Sequence, residues 1–346
     1  MIFYTLVVSL PLLVSLLLFM GDGSFLILFS HFSIDRVLCL FFVFVFLVKL
    51  PIYGVHSWLP KAHVEAPLSG SMVLAGVLLK LGIYGLVRFV HFSFLFFYDF
   101  GSYLLIVGLW GGVLSCLMCL RQSDTKSLVA YSSINHMSVA FASVACFFLV
   151  GLRGTYIIGF SHGVISPCMF FMVYVSYWRL HRRRVFVVKG LNVSFPVFSL
   201  WWFIVISSNM GVPPSMRFFS ELCMIGGLIS FDLVGAVFLL FVFFFSGVYG
   251  IYFYCIHMHG LSRFVGFFSC GLLFDFYTIF FSCGVIFFYS LFLDFVFFLF
   301  FVGTLGVSAE LGYLLSFFAS FNGGLSTLWF FGRVRCGFTY LFRVWI

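Results

Sequence analysis

Apolar residues in this 346-residue chain run together for twenty positions or more, and the polar residues collect in short connections between the runs. The runs do not alternate with a period of two, so they read as helices and not as the strands of a barrel. At about 20 residues per crossing, helices are predicted near 1–20, 35–50, 68–88, 101–120, 127–150, 155–178, 195–230, 233–256 and 266–302, with a further one near 311–331. Two of these stretches, 195–230 and 266–302, exceed a single crossing. The first contains Gly211-Val212-Pro213-Pro214 and is expected to be one interrupted helix. The second is either one tilted helix or two short ones. The pattern defines one membrane domain over 1–302, followed by a tail over 303–346 that loses the helix-and-loop rhythm and has room for one more helix.

Composition sets the surroundings. With 64% apolar residues, 8% charged residues and a mean hydropathy of +1.22, the chain belongs in hydrocarbon. The formal charge of +8 does not call for nucleic acid, because the basic residues occupy the connections and so act as topology determinants. If sides alternate from Met1, one side collects Lys61, Arg121, Lys126, Arg179, Arg182, Arg183, Arg184 and Lys189, against Arg36, Arg88 and Arg153 opposite. The basic side is expected to face the cytoplasm or its mitochondrial equivalent, the matrix, with Met1 on that side. Ten cysteines lie within apolar runs. Cys116 and Cys119 form the one C-x-x-C, without a second pair at metal-ligand spacing, and read as small buried side chains. No basic leader precedes Arg36, so neither a secretory signal nor an import sequence is apparent.

Five titratable residues inside predicted spans carry a functional argument: Lys49, Lys80, His136, His162 and Glu221. Such groups usually face a bundle interior or a hydrated path. Lys49 ends the run FVFVFLVKLP just before Pro51. The proline removes an amide donor, so loose carbonyls and water are expected to solvate the ammonium. Lys80 lies in the middle of its span, with Gly76 one turn before it and Tyr84 one turn after. A neighbouring helix can therefore approach closely, and a phenol can share the hydrogen bonding. At that depth removal from water works against an ammonium charge, and the group is poised to exchange a proton. YSSINHM places Ser132 one turn from His136 and Tyr131 one turn from Asn135, while His162 has Ser166 one turn on and Pro167 beside it. Each histidine reads either as a hydrogen-bonded packing residue or as a relay group. Glu221 follows the Pro213-Pro214 break, with Arg217 one turn earlier, and reads either as half of a structural ion pair or as the acid of an ion path. Two proline-broken helices, one with Lys49 and one with Glu221, match the pattern of transporters built on inverted repeats.

The run VKLPIYGVHSWLPKAHVEAP with LSGSMVLAGVLLKLGIYGLVR (48–88), then DTKSLVAYSSINHM (124–137), SHG (161–163) and PPSMRFFSEL (213–222), resembles the antiporter-like membrane subunits of NADH:ubiquinone oxidoreductase, respiratory complex I, and within them the chain 4 family encoded in mitochondrial genomes. Sister subunits and multisubunit cation/proton antiporters share the lysines and broken helices, but PKAHVEAPLSGSM favours chain 4. The resemblance covers roughly residues 1 to 260.

It implies an all-α, polytopic transmembrane helix bundle, antiporter-like, with two proline-broken helices. It also implies a proton-translocating subunit of the NADH:ubiquinone reductase in the mitochondrial inner membrane. Lys49 and Lys80 resemble the family's central relay lysines, Glu221 its terminal acid, and His136 and His162 its connecting groups. The family has about fourteen core helices in two inverted repeats. Here about two precede the Lys80 helix, so the first repeat is incomplete and lacks the helix whose glutamate partners the position of Lys49. No G-x-G-x-x-G follows a strand, and no cysteine set suits an iron-sulfur cluster. Hence no redox centre or cofactor is expected in this chain; NADH, FMN, iron-sulfur clusters and ubiquinone belong to the whole complex. The implied partners are the other membrane subunits, including sister antiporter-like ones, and the bilayer. Two rival readings are a subunit of a sodium/proton antiporter and a non-conducting membrane scaffold.

Overall fold

A computed structural model describes residues 9–14, 36–213 and 215–260. The chain divides into two units, Met1–Ser290 and Leu291–Ile346, and all described residues belong to the first. The helices expected near 266–302 and 311–331, the tail, and most of 1–20 lie outside the described residues. The described residues from Arg36 onward form eleven helices and one π segment: α1 (Arg36–Lys49), α2 (Trp58–Glu65), α3 (Leu68–Val73), the π segment Leu74–Leu78, α4 (Leu79–Phe92), α5 (Phe94–Arg121), α6 (Thr125–Ala145), α7 (Leu149–Leu180), α8 (Leu191–Ser194), α9 (Pro196–Met210), α10 (Met216–Phe231) and α11 (Leu233–Met258). No strand occurs among the described residues; a single isolated bridge joins Asp124 and Arg184. Five helical stretches, Leu68–Val90, Phe96–Arg121, Thr125–Ala145, Leu149–Trp178 and Leu233–Met258, are long and apolar enough to cross a membrane.

The fold is built around α6. Its residues are buried from Thr125 to Ala145 with the exception of half-buried Tyr131, because α2, α5 and α7 cover it. Lipid offers no hydrophobic drive between helices, so close backbone approach through small residues has to supply the packing. Where α7 meets α10, a Cβ placed on Gly227 would stand 2.8 Å from Gly151 Cα, leaving no room for any side chain. Cys116 and Cys119 are fully buried within the same core as Tyr249 and Met224, as small apolar side chains.

Local defects in the helices follow from particular residues. Gly211 ends α9 with φ +79°, a left-handed cap that glycine adopts without cost. The chain then passes Val212 and Pro213 before α10 begins, so the 195–230 stretch is interrupted where the sequence places the break. At Pro51 the carbonyls of the preceding turn have partners within the chain. The carbonyls of Phe46 and Leu47 accept the Leu50 and Ile52 amides at 2.8 and 3.3 Å, and the Val48 carbonyl accepts the Trp58 indole N–H at 3.1 Å. Each of those oxygens accepts a bond from one of the chain's own amides or its indole.

A third pair of defects has no counterpart in the expectations. The π segment widens the helix between α3 and α4. It lies against α7 where Pro167 supplies no amide to the Gly163 carbonyl one turn back. A Cβ on Gly76 would stand 3.2 Å from Pro167 Cγ, and one on Gly163 would stand 3.4 Å from the Gly76 carbonyl. Gly76 therefore does admit a neighbouring helix. Tyr84, expected beside Lys80, is instead 52% exposed and accepts a bond from Arg88 Nε at 3.1 Å. The helix expected near 101–120 starts earlier, at Phe94 of α5, and so includes the exposed Asp99.

The basic connections gather at one end of the bundle. Lys126 Nζ donates to the Ala66 carbonyl at 3.2 Å. The Thr125 amide donates to the Arg183 carbonyl at 3.1 Å, the Val185 amide to Ser123 at 2.8 Å, and the Gly190 amide to His259 at 3.3 Å. The loops that follow α2, α5, α7 and α11 are thus tied to one another. These bonds bring the loops that carry Lys126 and Arg182-Arg183-Arg184 together on one face.

Candidate functional site

The site assembles where the π segment and Pro167 face each other. Lys80 follows the π segment in the first turn of α4, half-buried, and its Nζ donates to the Ala75 carbonyl. Ser166 Oγ of α7 reaches that same oxygen at 3.4 Å. Gly163 leaves space for the lysine stem, since a Cβ there would stand 3.3 Å from Lys80 Cε. A π segment shifts the register of the turn that follows it, and such bulges cluster at functional sites.

Next to Gly163 stands His162, buried, with neither ring nitrogen hydrogen-bonded among the described residues. Its ring is edge-on to that of His136 in α6, with centroids 5.4 Å apart. His136 is bonded on both sides. Nδ1 faces Arg217 Nη2, and Nε2 lies 3.2 Å from the Tyr249 hydroxyl of α11. Arg217, in the first turn of α10 and 1% exposed, donates through Nε to Glu221 Oε1 at 3.0 Å and through Nη1 to Asn209 Oδ1 at 3.1 Å. The ion pair between Arg217 and Glu221 closes the series. The Gly211 break makes room for it, because a Cβ at Gly211 would stand 2.7 Å from Glu221 Oε2.

Four of the five residues singled out from the sequence, Lys80, His162, His136 and Glu221, therefore follow one another through the protein interior, with Arg217 as the link before Glu221. Lys49 does not join them. It is half-buried at the last turn of α1, and the described contacts place its Cβ against Gly82 of α4, 3.5 Å from a Cβ built there. Ser132, one turn from His136, donates its hydroxyl to the Val129 carbonyl at 2.7 Å.

Three participants were not among the predicted site residues. Arg217 had been noted only as a neighbour of Glu221, yet it spans three helices. Asn209 and Tyr249 are polar residues in apolar runs, and that was their only trace in the sequence. Two further histidines lie just outside the membrane-spanning helices. His63 of α2 stacks on Phe170 with centroids 4.4 Å apart. Burial, then the ammonium groups of Lys126 and Lys80, push its pKa down to about 3. His56 stacks on Tyr53 at 4.5 Å, and burial lowers its pKa as well.

Comparison with known proteins places these contacts in a family. Residues 1–249 match the model of the NADH:quinone oxidoreductase/Mrp antiporter transmembrane family. NADH-ubiquinone oxidoreductase chain 4 of Aedes aegypti is 39% identical over 284 residues, covering 81% of this chain and 64% of its own length. Chain 4 of Rhipicephalus sanguineus is 41% identical over 264 residues, with 76% and 60% covered, and that of Artemia franciscana 41% over 266, with 76% and 68% covered. The chain spans about three fifths of the length of most of these curated relatives. Among solved structures, a chain of respiratory complex I from Thermus thermophilus superposes with a TM-score of 0.76 at 22% identity, covering 85% of this chain and 64% of that one. A chain of the Mrp complex from Dietzia superposes with a TM-score of 0.66 at 21% identity, covering 75% and 50%. With the family model covering most of the chain and relatives near 40% identity, this protein belongs to the antiporter-like transmembrane family shared by NADH:quinone oxidoreductases and Mrp antiporters.

Proposed function

We propose that this chain is a proton-translocating membrane subunit of respiratory complex I in the mitochondrial inner membrane, and that Lys80, His162, His136 and Glu221 are its relay groups. The observation that carries the reading is the succession of titratable side chains in the interior, from the lysine at the π segment, beside Gly163, to the two facing imidazoles and on to the buried ion pair. Intramembrane ionisable groups are costly to bury and are retained where charge or protons move. Identities near 40% to chain 4 proteins favour complex I over a free-standing antiporter.

The chemistry divides in two. NADH oxidation and quinone reduction, with FMN and the iron-sulfur clusters, belong to other subunits, and this chain adds no redox step. Its own residues hold and pass protons. Lys80 binds a proton where the Ala75 carbonyl and Ser166 can solvate it, and His162 and His136 connect it to the Arg217–Glu221 pair. Carrying one charge against 100 mV costs about 2.3 kcal/mol, and one pKa unit corresponds to about 1.4 kcal/mol. A change of less than two units at one relay group, driven by charge movement in a neighbouring subunit, is therefore sufficient to drive the step. Lys49 lies apart from this series, and we assign it to a neighbouring segment of the same polar axis. The partners are the other membrane subunits, including sister antiporter-like ones, and the basic loops face the matrix.

The test is the number of protons moved per NADH oxidised in the assembled complex carrying Lys80→Met. The ratio is expected to fall, and an unchanged ratio refutes the relay.

A further inference from the structure

Arg217 does something that a counter-ion for Glu221 need not do: it reaches across to the ring of His136. Its guanidinium offers only N–H groups and no lone pair. The imidazole nitrogen opposite Nη2 must therefore be the acceptor, which leaves the His136 proton on Nε2, donated to the Tyr249 oxygen 3.2 Å away. In this arrangement His136 has no free nitrogen at which to take up a proton. A proton on Nδ1 and Arg217 at Nδ1 exclude each other.

The guanidinium also has somewhere else to go. Nε already holds Glu221 Oε1 at 3.0 Å. Swinging Nη2 from His136 to Glu221 Oε2 would complete a side-on, two-bond arginine–carboxylate pair. Asn209 holds Nη1 at 3.1 Å and can act as the pivot.

We propose that Arg217 is a gate on the relay: it closes the path while it caps His136 Nδ1 and opens it by closing instead on both oxygens of Glu221. This rests on the relay reading above and adds a positioning residue to it, since Arg217 acts through His136 and carries no proton itself. In the open state Nδ1 accepts a proton from the His162 side and His136 becomes an imidazolium whose Nε2–H stays donated to the Tyr249 oxygen, and the ring is reset when that proton leaves from Nδ1 toward the Glu221 carboxylate. One proton enters the ring and one leaves. Arg217 returns only once Nδ1 is again without a proton, so the gate cannot close on a half-completed transfer.

The experiment measures the passive collapse of a proton gradient, without NADH, in vesicles holding the complete complex, normalised to assembled complex. Arg217→Gln removes the charge and the fork. Arg217→Lys keeps a buried cation for Glu221 but has a single head that cannot span both partners, and it stands in should the glutamine variant fail to assemble. Both are expected to collapse the gradient severalfold faster than the natural protein, and adding His136→Gln is expected to abolish the excess leak. Vesicles of both variants as tight as the natural ones, or a leak that persists without His136, overturn the gate. Lys80→Met separates the two ideas. A lowered proton-to-NADH ratio there, with no leak at Arg217, removes the gate alone. An unchanged ratio there removes the relay, while a leak that depends on His136 still supports the gate.

Discussion

Glu221 and Arg217 show what a buried charge requires of its neighbours. Each would be untenable alone in the interior, and removing one partner of such a pair typically costs about 3–5 kcal/mol, whereas replacing both by neutral residues of similar volume is close to neutral. Glu221→Ala is therefore expected to lower the thermal stability of the assembled complex by that amount, and Arg217→Met together with Glu221→Gln to recover most of the loss. His63 makes a pH-dependent contribution. Its folded-state pKa is depressed to about 3, against about 6.5 when unfolded. The neutral ring's contribution is complete above about pH 6.5. As the pH falls from there toward 3, the unfolded chain takes up a proton that the folded chain refuses, and stability drops by at most about 1.4 kcal/mol per pH unit. Thermal melts of the detergent-solubilised complex between pH 7.5 and 5 are expected to show this slope, and His63→Phe, which keeps the stack on Phe170, to flatten it.

At the level of elements, the informative places are where two helices touch without side chains between them. A methyl on Gly227 would meet the Gly151 backbone at 2.8 Å. Backbone cannot move aside, so Gly227→Ala is expected to force α7 from α10 and destabilise the complex by about 1–3 kcal/mol. Its neighbour Gly226 has only Val150 Cγ1 at 3.7 Å, and Gly226→Ala is the matched control, expected to be neutral or mildly stabilising. Gly163→Ala probes function more than stability. Its methyl would press on Lys80 Cε at 3.3 Å, while the helix gains roughly 1 kcal/mol in propensity. The proton-to-NADH ratio should fall with the melting temperature unchanged or raised. Lys80, Gly163 and Pro167 were all visible as residues. That a π segment and a proline defect on separate helices would meet was not, because each is a local backbone event that acquires a function only through its neighbour.

At the scale of the whole molecule, the hydrogen bonds between the loops after α2, α5, α7 and α11 put the basic residues on one surface. The exposed Arg182-Arg183-Arg184 run is then expected to be cut by trypsin in inside-out inner-membrane vesicles and protected in intact mitoplasts. Cleavage from the opposite side would reverse the assigned orientation.

The chain by itself determined where the described helices lie, that 195–230 is interrupted at Gly211, and which ionisable residues stand within those helices. The hydrocarbon thickness and the need of every backbone amide for a partner are constraints along one dimension, and a sequence expresses them directly. Only the tertiary structure decided which of those residues meet. Ser166 bonds a carbonyl 91 positions away, Arg217 reaches a histidine 81 positions away, Trp58 takes the Val48 carbonyl beside Lys49, and Tyr84 turns outward. Contacts between helices depend on rotation about each axis and on the small residues that let backbones touch. Both are set by packing in three dimensions, and no spacing within a single run encodes them.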